Sequence, residues 1–285
     1  MRLRKGTRVA QNGDIDGQGG WIVPALGNFF GQPIVLLHGF MQNETTWDLA
    51  AEAMASDYYL SMPRMAVTGP QDATLEAMAD RVYGVVQQAI LHTGATRVAL
   101  VGYSMGGRVA LEYARRYPHT LSVLVLESAG LGPEDDDDRA RMQRLNLGLA
   151  ERIRAAKSME QVVDYWQSLP LFETQMKLSE EARAQLRSMR LTRDKDELVL
   201  LVEHAGSHTM PPAEQTRQML KGLGIPVLYV AGTRDQKYSD VACSLGAYGV
   251  QPVLLDCGHN IHLEKPSEFA LVVTGFIEHS AAALN

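Results

Sequence analysis

The chain has 285 residues, 46% of them hydrophobic and 21% charged, with 27 Lys and Arg against 33 Asp and Glu. That apolar content builds a packed core and excludes a disordered chain, and the length suits one large α/β domain carrying an insertion. The net charge of −6 and the lack of a basic, aromatic-interleaved stripe leave no expectation of nucleic acid as a partner. The basic start, Met1-Arg2-Leu3-Arg4-Lys5, has no apolar stretch behind it, so no secretory signal is expected. No run is long enough to span a bilayer, so no membrane insertion is expected. Cys243 and Cys257 are the only cysteines, too few for a disulfide framework, which points to the reducing cytoplasm. No Cys/His cluster has zinc spacing and no Gly-rich loop precedes a lysine, so neither metal nor cofactor is expected. Oligomeric state has no signature in the sequence.

In chain order, two short strands are expected around Thr7 to Ala10 and Trp21 to Val23, flanking the Gly-rich stretch Asn12 to Gly20. The apolar run Ile34-Val35-Leu36-Leu37 predicts a buried strand, followed by a helix from Trp47 to Ala55 and a short strand at Tyr58 to Met62. Met78, Val82, Val85, Val86 and Ile90 recur at helical spacing and predict a helix over 75–91. Strands follow at Val98 to Val101 and Leu121 to Leu126, with a helix over Arg108 to Arg116 between them. Strands alternating with helices imply a mostly parallel sheet with helices on both faces, and such sheets bind ligands at the carboxyl ends of their strands. Beyond Gly130 strand signals vanish until about Leu223. Helices are expected there over 136–156, 159–167, 179–189 and 195–204, punctuated by Pro170, Pro211 and Pro212. The expected organisation is a core of residues 1–130 and 224–285, with a helical cap of residues 131–223 inserted after the strand at 121–127. The acidic run Glu134 to Asp138 is expected to complement a helix dipole rather than hold a cation.

Three segments carry the chemistry. Gly102-Tyr103-Ser104-Met105-Gly106 joins a strand to a helix, and Gly-x-Ser-x-Gly in that setting is the nucleophile elbow of α/β-hydrolase folds. A serine hydroxyl needs a neighbouring base, and in this fold the partners follow in the order acid, then histidine. Asp235 stands just past the expected strand Pro226 to Gly232, and His259 just past Val253-Leu254-Leu255. Ser104 is therefore expected to carry the reactive oxygen, His259 to move its proton and Asp235 to orient the imidazole. His38-Gly39-Phe40-Met41 ends the strand at 34–37, so the backbone N–H groups of Phe40 and Met105 are the candidate oxyanion donors. His38 itself is expected to be structural, and Cys257 to pack in a loop.

Longer segments narrow the identification. Gly102 through Arg108, Leu126 through Gly132, Asp164-Tyr165-Trp166, Pro170-Leu171-Phe172 and Gly258 through Pro266 resemble 2-succinyl-6-hydroxy-2,4-cyclohexadiene-1-carboxylate synthase of menaquinone biosynthesis, from about Pro33 to Ile277. The resemblance implies a lyase that eliminates pyruvate from a succinyl-hydroxycyclohexene carboxylate, with the triad as general base. It implies a substrate-binding role for Arg108, for Tyr103 and Trp166 as pocket walls, and for the cap arginines Arg141 and Arg190. Arg139, Arg144 and Arg187 are neighbouring candidates for the same duty. The partner so implied is a small molecule bearing several carboxylates, which arginine recognises bidentately.

The chain departs from this pattern in two places. Leu145 and Asn146 stand where the family has an acidic residue, and Glu203 to Met210 replaces a Gly- and Ser-rich stretch. Two alternatives stay open. One is a serine carboxylic-ester or carbon–carbon bond hydrolase working through an acyl-enzyme; the other is a non-catalytic binder on the same scaffold. Arginines facing the pocket favour the lyase, and a purely apolar pocket favours the hydrolase.

Overall fold

Apolar side chains on every residue of a strand require cover on both faces, and the central strands obtain it. The computed structural model describes residues 25–27 and 31–282; the strands expected around Thr7 to Ala10 and Trp21 to Val23 lie outside the described residues. In order the elements are β1 (Ala25–Gly27), β2 (Gln32–Leu37), α1 (Asp48–Met54), β3 (Tyr58–Ser61), α2 (Leu75–Thr93), β4 (Val98–Tyr103), α3 (Met105–Arg116) and β5 (Leu121–Glu127). Then come α4 (Asp136–Ala155), α5 (Met159–Gln167), α6 (Glu180–Leu191), α7 (Lys195–His204) and α8 (Ala213–Gly222). The described chain continues with β6 (Val227–Gly232), α9 (Gln236–Leu245), β7 (Gln251–Leu255), α10 (Ile261–Glu264) and α11 (Pro266–Ala282). The described strands form one sheet in the order β1-β3-β2-β4-β5-β6-β7. β1 pairs antiparallel with β3, and every other pairing is parallel.

The two-residue period of a strand sorts the core. Ile34, Leu36, Ala99, Val101, Val123 and Val125 turn to one face and pack with Trp47, Ala51 and Met54 near and on α1 and with Phe269, Val273 and Ile277 of α11. Val35, Leu37, Leu100, Leu124 and Leu126 turn to the other and pack with Met78, Val82 and Val86 of α2 and Val109 and Tyr113 of α3. Thr74 starts α2 by accepting from the Ala77 N–H, and Gly94 ends it in the left-handed conformation at φ 74. The helices between β5 and β6 have a small core of their own, Ala150, Ile153, Val163, Leu198 and Val202, into which Met41 from the loop after β2 inserts.

Two helices exceed the sequence expectation. α8 begins directly after Pro211-Pro212, which reads as a break; proline fits the start of a helix because the N–H it lacks would be unpaired there. α9 begins directly after Asp235 and buries only Ser239, Ala242 and Leu245, too little for a clear periodic signal. The acidic run caps α4: Asp135 accepts from the Asp138 N–H at 2.8 Å, and Asp138 accepts from the Glu134 N–H at 3.1 Å. Among the described residues no helix is long and apolar enough to cross a membrane.

His38 lies fully buried at the end of β2. Its Nε2 accepts from the Met65 N–H at 3.0 Å and its Nδ1 faces the Gly39 carbonyl at 2.9 Å. Burial first, and then the charge of Arg193, pulls its pKa down to about 3. The folded state thus holds a neutral imidazole that the unfolded chain would protonate below about pH 6.5, so acidification through that value costs stability. Between pH 6.5 and 5 the wild-type unfolding free energy should fall by up to about 1.4 kcal/mol per pH unit on account of this group. Urea titrations of wild type and His38→Asn across that window check it; parallel pH slopes would contradict the assignment.

Candidate active site

The reactive turn is written by glycine. Ser104 sits between β4 and α3 at φ 50, ψ −106, a left-handed conformation that L side chains rarely take. Such backbone costs about 1–3 kcal/mol and persists only where its surroundings enforce it. Here the Ser104 N–H donates to the Glu127 carbonyl at 2.9 Å, and the Ser104 carbonyl accepts from the Arg108 N–H at 3.2 Å. A Cβ on Gly102 would stand 2.5 Å from the Gly106 carbonyl, and one on Gly106 would stand 2.5 Å from the His38 carbonyl. The elbow therefore lays α3 directly against the loop after β2.

The three candidate catalytic side chains come together at the carboxyl ends of β4, β6 and β7. His259 Nδ1 is 2.6 Å from Asp235 Oδ2, and His259 Nε2 is 3.3 Å from Ser104 Oγ. A carboxylate can only accept, so Nδ1 is the donor and Nε2 is left to take the serine proton. His259 and Asp235 are buried. The imidazole lies among aromatic rings, with centroids 4.8 Å from Tyr238, 5.4 Å from Tyr103 and 6.0 Å from Phe172. This arrangement can deliver a deprotonated serine oxygen or pass the same basicity to a nearby C–H. Met105 is the first residue of α3, where backbone N–H groups have no partner within the helix. Phe40 follows Gly39, which has to be bare because a Cβ there would stand 2.5 Å from the Tyr103 ring.

A cleft of about 730 Å³, counting its mouth, opens over Ser104. Phe40, Trp166 and Phe172 form one wall, with Phe40 to Trp166 centroids at 5.1 Å and Trp166 to Phe172 at 5.2 Å. Tyr103, Arg108, Trp166 and Arg190 all line it. Arg141 does not. It stands exposed on α4, paired with Asp138 one turn back, and is corrected to a surface ion pair. Of its neighbours, Arg139 holds the His208 and Met210 carbonyls, Arg187 pairs with Asp164 at 2.6 Å, and Arg144 is exposed.

Arg190 and Arg108 differ in what they hold. Arg190 is only 1% exposed. Its Nη2 donates to Gln175 Oε1 at 3.0 Å, while Nε and Nη1 have no partner. Its guanidinium carbon lies 5.3 Å from the centroid of Phe172. Burial pulls its pKa down to about 10, which leaves it cationic at neutral pH. Arg108 instead donates from Nε and Nη2 to the Ala205 carbonyl at 3.3 and 3.1 Å. Sequence reasoning missed Gln42, Leu149 and Tyr238 as lining residues and met Asn146 only as a departure. Asn146 Nδ2 lies 2.8 Å from His208 Nδ1, and Leu145 beside it points to solvent. Cys257 is buried, its thiol pushed up to about 12 by burial and then by Glu264. Among the described residues no group of three or more His, Cys, Asp or Glu side chains could hold a metal ion.

Comparison with known proteins agrees with this architecture. A Bacillus subtilis (strain 168) protein, provisionally named a 2-succinyl-6-hydroxy-2,4-cyclohexadiene-1-carboxylate synthase, is 28% identical over 257 residues, covering 86% of this chain and 90% of that protein. An Enterobacter sp. (strain 638) protein of the same name is 29% identical over 243 residues, covering 83% of this chain and 88% of its own length. The structure of MenH from S. aureus matches with a TM-score of 0.80 at 26% identity, over 88% of this chain and 94% of that one. A malate-bound thermophilic esterase from Thermogutta terrifontis shares the fold, with a TM-score of 0.72 at 23% identity over 98% of this chain and 99% of that one. The Alpha/beta hydrolase family model matches residues 34–271, most of the chain, and with the parallel sheet and the elbow at Ser104 this makes the chain a member of the alpha/beta hydrolase family.

Proposed function

We propose that the protein is a 2-succinyl-6-hydroxy-2,4-cyclohexadiene-1-carboxylate synthase of menaquinone biosynthesis, a lyase that removes pyruvate from a succinyl-hydroxycyclohexene carboxylate. Relatives of that name over most of the chain support it. The observation that carries it is Arg190, a buried guanidinium with two unpartnered nitrogens that lines the same cleft as Ser104. An isolated buried cation costs several kcal/mol, and a substrate carboxylate that reaches Nε and Nη1 offsets that cost. A site for neutral esters would have no use for it.

In this reading His259 takes the Ser104 proton, and the serine oxygen draws a proton from the substrate ring. The carbon–oxygen bond to the side group then breaks, and the departing enolate takes the proton held on His259 Nε2 to leave as the enol of pyruvate, which tautomerises. Charge that builds on the conjugated carboxylate oxygen meets the N–H groups of Phe40 and Met105. Asp235 keeps Nδ1 protonated, so that Nε2 remains the base throughout. The helical segment of residues 131–223 acts as a cap, presenting Trp166, Phe172 and Arg190 over the triad and excluding water from the reacting centre. A serine hydrolase uses the same Ser104 geometry, and the solved esterase shares the fold.

Purified protein given the succinyl-cyclohexene substrate, generated in situ, should yield ring diene and pyruvate in equal amounts. Ser104→Ala should reduce that turnover by about a thousandfold or more. Absence of the reaction, with Ser104-dependent cleavage of p-nitrophenyl esters, would assign the hydrolase instead.

The two arginines at issue separate in the same assay. Arg190→Met keeps the apolar stem but removes the buried charge, and kcat/KM should fall about 100-fold with no loss of thermal stability. Arg141→Ala should leave kcat/KM within about twofold, as expected for an exposed ion pair. Equal losses in the two variants would overturn the role given to Arg190.

A further inference from the structure

The catalytic arrangement leaves a second buried carboxylate–imidazole pair unexplained. Glu127, the last residue of β5, and His262, in the short helix α10, are both fully buried. Glu127 Oε1 accepts from the His262 backbone N–H at 3.0 Å, and its two oxygens lie 2.9 and 2.7 Å from His262 Nδ1. His262 Nε2 lies 2.9 Å from Thr46 Oγ1, so both ring nitrogens are engaged. Trp47 stacks on the imidazole at 3.9 Å, and Tyr103 meets it edge-on at 4.9 Å.

We propose that Glu127 and His262 are positioning residues that hold the His259 loop at working distance from the Ser104 elbow. Ser104 follows β4 and His259 follows β7, and the sheet places β5 and β6 between those strands. No hydrogen-bond ladder joins the two loops directly. Glu127 spans the gap with one residue: its backbone carbonyl takes the Ser104 N–H at 2.9 Å while its side chain takes His262, three residues beyond His259. Tyr103, next to the nucleophile, is wedged between the two imidazoles. A buried carboxylate is a costly way to fill a core, and apolar side chains of the same volume serve stability as well or better. What the charge-and-imidazole pair supplies beyond packing is a fixed register between two loops whose reactive atoms stand 3.3 Å apart.

The inference rests on the triad reading, so its test includes a readout independent of the lyase reaction. Ser104 Oγ displaces fluoride from a fluorophosphonate at a rate set by how well His259 takes its proton. Glu127→Ala should slow both that phosphonylation and kcat by about 100-fold, the scale of an ångström-level misplacement, with KM within about twofold. Glu127→Gln keeps an acceptor oxygen for the His262 backbone and ring, and should recover both rates to within about threefold of wild type. Thermal unfolding is recorded for each variant. If Glu127→Ala does not fold, Glu127→Asp, whose reach is one methylene shorter, should be slow where Glu127→Gln is fast. A folded Glu127→Ala that phosphonylates at the wild-type rate overturns the proposal, as does a Glu127→Asp that does so or a folded Glu127→Gln as slow as Glu127→Ala. Wild type that does not react with the probe would count against the triad. Wild type that reacts but releases no pyruvate would count against the lyase and leave the pair standing.

Discussion

The chain reversal at Ser104 sets the terms for the rest of the site. A residue at φ 50 and ψ −106 turns the backbone from β4 into α3 within one position, which aims its side chain out of the sheet. The turn is possible only if α3 passes close to β2, and Gly106 is bare where a Cβ would press on the Leu37 and His38 carbonyls. Gly107 is bare where a Cβ would meet Ala129, and Gly39 where it would meet the Tyr103 ring. The same close approach sets the first N–H of α3 beside the loop that carries Phe40. One steric requirement thus places the serine hydroxyl and the start of α3 against the loop after β2. Rigidity comes from the sheet, whose buried parallel strands hold the loops at fixed spacing.

Around this turn the protein keeps an unusual amount of polar chemistry out of water. Arg193 is buried with Glu197 as its counter-charge at 3.0 Å, and Glu127 is buried with His262. His38 is buried neutral. Arg190 stands apart because among the described residues it has no carboxylate partner, only Gln175 and the face of Phe172. In a low-dielectric setting an unpaired cation is the strongest local source of field, and it faces the cleft. That is the physical ground for the role proposed for it, since an anion at the guanidinium would offset the cost of burying the charge.

The legible part of this molecule is the part written in short-range patterns. The strands at 34–37, 98–101 and 121–126 announce themselves by unbroken apolar runs, and α2 by apolar residues at 3.6 spacing. Ser104, Asp235 and His259 are legible because the elbow motif and the order of strand ends fix where partners must fall. The cap arginines are less so, since Arg139, Arg141, Arg144, Arg187 and Arg190 differ in their surroundings and not in residue type. Which of them faces the cleft depends on how α4 and α6 rotate on their own core of Ile153, Val163 and Leu198, a tertiary matter. Helix α8 was hidden by Pro211-Pro212, and Gln42 and Tyr238 by having no motif at all. Glu127 is a strand residue in sequence and becomes conspicuous only when its side chain is seen inside.

Two departures that look independent along the chain meet in space. Asn146 of α4 reaches His208, and a Cβ on Gly206 would stand 2.6 Å from the Asn146 amide nitrogen and 2.7 Å from the His208 ring. Arg108 grips the carbonyl of the adjoining Ala205 with two nitrogens. The segment from 203 to 210 is therefore a clasp between the elbow helix and α4, closed by the Asn146–His208 hydrogen bond, by Arg108 and Arg139 on backbone carbonyls and by the Arg154–Glu203 ion pair. Arg108 is already engaged through Nε and Nη2, so an anion that took those two nitrogens would do so at the expense of the clasp. Arg190 asks for no such exchange. The division follows from partner geometry: Arg108 joins the elbow helix to the segment after α7, and Arg190 keeps two nitrogens without a partner.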